Sequence, residues 1–152
     1  ETDILNGSTF CDGIACGTFA IDIHPPHGKQ QIFTGSGKVV YEIPYRCLLP
    51  IGLDNLLVAG RCISVTHTAF GSIRVMATCM AMGQGAGTAA ALVAKRNITT
   101  REIDTAELRR ELVSQKQFLL NENQENIGDK GLILNRVNSD GKNAGHYNPF
   151  QK

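Results

Sequence analysis

The chain has no tryptophan, few aromatic residues (6%), no CxxC pair and almost no net charge, +1 over 152 residues. Balanced charge leaves no basic face for nucleic acid or for an anionic membrane surface. The five cysteines (Cys11, Cys16, Cys47, Cys62 and Cys79) are odd in number and scattered. Free or buried thiols fit that pattern better than a disulfide framework or a metal cage. The sequons at Asn6 and Asn97 decide nothing. Residues 75–94 carry no charge and match a membrane span in length. Their Ala, Gly, Met and Thr content, with Gln84 in the middle, reads instead as a buried helix of a soluble protein. The compartment, cytoplasmic or exported, stays open.

What is present is organised around Asn55 to Ala94. Leu56, Leu57, Val58 and Ala59 form a continuous apolar run, as in a strand buried on both faces of a parallel sheet. Gly60 ends it where a backbone turns sharply. A helix is expected to start near Ser72, with Gly71 before it and the serine hydroxyl as cap. It carries Ile73, Met76 and Met80 at helical spacing, then a ridge of Gly83, Gly87, Ala90, Ala91 and Ala94 for close packing. A strand, a glycine and a helix N-terminus converging on one point suit something anionic and flat.

Before this unit, helical turns are expected around Asp3–Leu5 and Asp12–Ala15. Phe19–His24 alternates as a strand, with Phe19, Ile21 and Ile23 on one face and Asp22 and His24 on the other. Gln31–Thr34 and Lys38–Ile43, separated by Gly35-Ser36-Gly37, read as a hairpin stopped by Pro44. After it, Lys95 and Arg96 suit a helix C-terminus. Asp104 caps a second helix, with Glu107 three residues on and Leu108, Leu112 and Val113 as a narrow apolar stripe. Residues 121–152 read as a polar extension, with one short strand around Leu132–Arg136.

The segments Tyr41–Pro50 (YEIPYRCLLP), Asn55–Ser64 (NLLVAGRCIS), His67, Ser72–Met76 (SIRVM) and Met82–Leu92 (MGQGAGTAAAL) resemble the C-terminal portion of FAD-dependent oxidoreductases of the glutathione-reductase type. The likeness runs from about Ile4 to Leu112. The strand–GxGxxG–helix unit that opens such proteins and holds the ADP half of FAD is missing; Gly83–Gly87 lies inside a helix. The resemblance therefore implies a C-terminal fragment whose partner is the missing N-terminal FAD-binding half. The implied fold class is α/β: the C-terminal part of an FAD/NAD(P)-binding Rossmann-like domain, preceded by the end of a β-rich substrate domain. Its parts are residues 1–44 (substrate or cap domain), 45–120 (FAD-binding domain) and 121–152 (extension).

The same resemblance places Gly60 and Arg61 at the ribityl–pyrophosphate part of FAD and the linker with Ser64 and His67 beside the flavin. Arginine cannot accept a hydrogen bond, so Arg61 meets phosphate or a carbonyl, or makes a structural salt bridge. Ser72, Ile73 and Arg74 would offer helix amides and one full charge to the flavin. His67 can move a proton during hydride transfer between a small-molecule substrate and the flavin, or merely shape the pocket. Tyr45 and Arg46 face flavin or substrate, Arg46 as a bidentate carboxylate clamp. Asp22, His24 and His27 match no ligand signature, so no metal is expected. The chain by itself is expected to be inactive. The rival reading is a non-enzymatic remnant that binds a partner.

Overall fold

A computed structural model describes residues 1–24, 32–35 and 39–120. The element order is α1 (Thr2–Asn6), β1 (Gly13–Gly17), β2 (Ile21–Ile23), β3 (Ile32–Thr34), β4 (Tyr41–Pro44), α2 (His67–Ile73), α3 (Met76–Arg96) and α4 (Thr105–Ser114). Single 3₁₀ turns follow β4 at Tyr45–Leu48 and precede α2 at Gly60–Cys62. This mixture of helix and strand is the α/β content expected.

The strands pair differently from the expectation. β1 runs antiparallel to β4, with Cys16 opposite Glu42, and β2 antiparallel to β3, with Asp22 opposite Phe33. The two strands expected to form one hairpin thus belong to different sheets. Asp12–Ala15, expected as a helical turn, mostly lies in β1. Hydrophobic alternation marks a strand but not its neighbour, which is chosen by the packing of the whole chain.

The run Leu56–Ala59 corrects a further expectation. It forms no strand, Leu56 is 45% exposed, and the other three are half-buried. Among the described residues, Val58 N–H donates to the Leu48 carbonyl at 2.9 Å, and the Ala59 carbonyl accepts from Cys62 N–H at 3.5 Å. The segment buried throughout is β4, where Tyr41, Glu42, Ile43 and Pro44 are all enclosed.

The long helix also departs from its expected form. α2 begins at His67, with Thr66 Oγ1 accepting from Ala69 N–H, and ends at Ile73. Val75 is then extended (φ −72°, ψ 150°) before α3 starts at Met76. Ser72 is no cap: it sits in the last turn of α2, 0% exposed. Its hydroxyl donates to the Phe19 carbonyl and lies 2.6 Å from Tyr41 Oη. Burial pushes the Tyr41 phenol above its usual range, partly offset by that bond.

α3 packs on β1, with Gly85 against Ile14 and with Thr78, Met82 and Ala89 buried on the same side. Met76 and Met80 are 77% and 75% exposed, and a Cβ on Gly83 or Gly87 would meet nothing within 4 Å. The expected ridge is therefore the outward face. Its residues precede the buried ones by two positions, about 200° around a helix. At the C-terminus Asn97 is left-handed (φ 54°), with Lys95 and Arg96 in the last turn as expected.

Asp104 caps α4 by accepting from Ala106 N–H at 2.9 Å, also as expected. Leu108 and Leu112 are fully buried. Arg109, 5% exposed, is buried beside them and reaches Glu42 of β4. No helix among the described residues is long and apolar enough to cross a membrane. The proposed strand at Leu132–Arg136 lies outside the described residues, as does His27.

Candidate functional site

The residues singled out by sequence do not form one site. α2 and its flanks divide them between two clefts and the core.

The first cleft lies at the break between α2 and α3. It encloses about 570 Å³ and is lined by Phe19, Asp22, Arg61, Phe70, Arg74 and Met76, among others. Gly60 holds φ +65°, and its Cα face lies against Cys79 of α3, where a Cβ would sit 3.7 Å from Cys79 Cβ. The left-handed turn suits glycine and delivers Arg61 to the break. Arg61 Nε donates to the Arg74 carbonyl at 3.2 Å, and no carboxylate pairs with Arg61 among the described residues. Arg74 Nη2 donates to the Asp22 carbonyl at 3.1 Å and to Asp22 Oδ2 at 3.4 Å. Asp22 Oδ2 also lies 3.0 Å from His24 Nε2. The α3 N-terminus opens beside these groups with no side-chain cap. Helix amides and a guanidinium with no carboxylate partner form a donor set for an electron-rich or anionic group.

The second cleft lies on the neighbouring face of α2, that of Ala69 and Ile73. It encloses about 240 Å³, and its walls include Ile43, Arg46, Ser64, Val65, Ala69 and Ile73. The Arg46 guanidinium pairs with Asp12 and lies 4.9 Å from the centre of the Phe10 ring. Ser64 N–H donates to the Cys47 carbonyl at 2.9 Å, closing the turn beneath it.

Tyr45, expected to face the site, is instead buried. Its hydroxyl donates to the Thr100 carbonyl at 2.8 Å, and burial pushes its pKa up to about 12. Ser72 and Ile73 likewise belong to the core rather than to a helix start. His67 is the first residue of α2 and exposed. It stands at the far end of that helix from Arg74, about 10 Å away at 1.5 Å per residue. Asp12, Phe10 and the Asp22 carbonyl were not legible as site groups, because their partners lie 34 or more residues away or meet through space alone.

The thiols sort by environment. Cys16 is pushed up to about 12, mainly by burial with Glu42 adding, and burial also raises Cys47. Cys11 and Cys62 are exposed. Since the thiolate is the reactive form, iodoacetamide at about pH 8 is expected to modify Cys11 and Cys62 well before Cys16. Peptide mass spectrometry over time checks this; Cys16 reacting as fast as Cys62 in the folded chain would contradict it.

The family model described as FAD dependent oxidoreductase matches residues 1–112. The chain belongs to this family. That match covers both clefts and every element described here except the last two residues of α4, and it supports an oxidoreductase that works with FAD. Comparison with curated proteins and with solved structures gives no match. As a member of the FAD dependent oxidoreductases, the chain has a donor set at the α2–α3 break whose chemistry fits one end of such a cofactor.

Proposed function

We infer that this chain supplies the flavin and ribityl side of an FAD site, in an enzyme that moves hydride between a small organic substrate and the flavin. The observation that carries this reading is the convergence of Arg61 with the uncapped start of α3 in the 570 Å³ cleft. Bound flavin supplies a two-electron acceptor. Arg61 would hold a phosphate or carbonyl oxygen of the cofactor, and the Met76–Thr78 amides would stabilise the negative charge that flavin gains on reduction. Arg74, tied to Asp22, anchors the α2–α3 break to β2.

The ADP end is held by a second body, the N-terminal FAD-binding half. The exposed methionines of α3 and the half-paired run Leu56–Ala59 form apolar surface suited to that contact. Because the cleft addresses only the flavin end, FMN and FAD are expected to bind this chain equally and weakly, with Kd about 1 mM. Arg61→Ala should weaken both by about tenfold, within the range of a charge-assisted hydrogen bond. Flavin fluorescence titration measures it. The absence of any saturable change up to millimolar flavin would sink the reading.

A further inference from the structure

We propose that the second cleft binds a small aliphatic monocarboxylate, anchored by Arg46. This goes beyond the flavin reading and does not rest on it, since the two clefts are lined by different residues of α2 and its C-terminal end, Ala69 and Ile73 in this one and Phe70 and Arg74 in the other.

Arg46 is built as a fixed receptor. Asp12 grips it twice: one carboxylate oxygen accepts from Arg46 N–H at 3.2 Å, and the other pairs with Nη1. The Phe10 ring lies against the guanidinium plane at 4.9 Å. Head group and backbone are thus held by the same carboxylate, and the ring sets the plane. A guanidinium carries five donors in a fork. Here Nε and Nη2 engage nothing among the described residues, and the side chain is 56% exposed. The remaining edge presents two parallel N–H groups, which match the two oxygens of a carboxylate. Asp12 offsets the positive charge, so recognition comes from geometry and affinity stays modest.

The rest of the cleft sets the body of the ligand. Ile43, Val65, Ala69 and Ile73 give apolar walls. A volume of about 240 Å³ falls just below the range typical of drug-sized ligands, which favours a few carbon atoms. Glu1 and Asp3, both exposed, also line the cleft and oppose a second negative charge, so a monocarboxylate is preferred over a dicarboxylate.

The test uses the chain with labelled Ile, Val and Ala methyl groups, titrated at neutral pH with isobutyrate, its neutral isostere isobutyramide, and succinate. Isobutyrate is expected to shift the Ile43, Val65, Ala69 and Ile73 methyls saturably, with Kd on the order of millimolar. Isobutyramide should leave them unmoved, and succinate should bind at least several-fold more weakly. Arg46→Met should abolish the shifts while the methyl of Ile14, in the core, keeps its position. Arg46→Lys, which keeps the charge but loses the fork, should weaken binding about tenfold and serves if the methionine variant does not fold. Three results would overturn the proposal: no methyl shift up to about 100 mM isobutyrate, equal binding of the amide, or undiminished binding by either Arg46 variant. Succinate binding as tightly as isobutyrate would overturn the preference for one carboxylate. Flavin titration is read separately, so failure there leaves these outcomes unchanged.

Discussion

Arg109→Met is expected to lower the unfolding free energy by about 3–5 kcal/mol, the cost of leaving a buried charge without its partner. The Glu42 side chain is 0% exposed and that of Arg109 only 6%. Glu42 Oε1 lies 3.4 Å from Arg109 Nη1 and accepts from Leu120 N–H at 3.0 Å, while Oε2 accepts from Phe10 N–H at 2.9 Å. Arg109 Nη1 also donates to the Gly13 carbonyl at 2.6 Å and to Phe10 O at 3.3 Å. One pair therefore ties α4 to β1, β4, the Phe10 segment and the residues after α4. Methionine fills similar space but leaves the Glu42 carboxylate without a counter-charge and two carbonyls without donors. Domains of ordinary stability hold about 5–15 kcal/mol in all, so the variant should be close to unfolding. Adding Glu42→Gln should recover part of the loss, because it removes the stranded charge. Urea denaturation of the two single variants and the double measures the coupling. A loss below about 1 kcal/mol for Arg109→Met, as for an exposed ion pair, would show that the pair is not enclosed as described.

The second expectation contrasts two glycines two residues apart on α3. Gly85→Ala places a Cβ 2.9 Å from Ile14 Cδ1, 3.2 Å from Ile14 Cβ and 3.3 Å from the Ile14 carbonyl oxygen. The δ-methyl can swing away, but Cβ and the carbonyl belong to β1, whose strand pairs with β4. Overpacking of this kind costs about 1–3 kcal/mol, against which alanine recovers at most about 1 kcal/mol in helix propensity. Gly85→Val should cost more still. Gly83→Ala meets open space and should stabilise the chain by about 0.5–1 kcal/mol. Thermal melts of the three variants give opposite signs of shift for positions 83 and 85. Equal shifts would mean that α3 does not rest on β1 along the Thr78–Met82–Gly85–Ala89 line.

That contrast also shows what could be read from the sequence. α3 is rich in small apolar residues around its whole circumference, so periodicity located the helix but could not choose its inner face. The Met76–Met80–Gly83–Gly87 stripe and the Thr78–Met82–Gly85–Ala89 stripe are both apolar enough to be buried. Only contact with Ile14 separates them. α4 was legible because its cap is local: Asp104 and Ala106 lie two residues apart. Arg109 was not, since its partners are 67 to 99 residues away. The same limit applied to Arg46. Its motif pointed to a site, but Asp12 and Phe10, which make its guanidinium a rigid receptor, lie 34 or more residues earlier, in a stretch that offered no more than a helical turn.

Local chemistry in the sequence therefore determined the α4 cap, the glycine turn before Arg61, the basic C-terminus of α3 and the family to which the chain belongs. Each depends on residues within one turn or on motifs in fixed order. Tertiary structure alone decided the strand partners, the break between α2 and α3, the burial of Tyr45 and Ser72, and the division of the expected site into two clefts. These depend on which segments meet across the core. Side-chain burial and long-range hydrogen bonds settle that together, and no short window of sequence contains both partners.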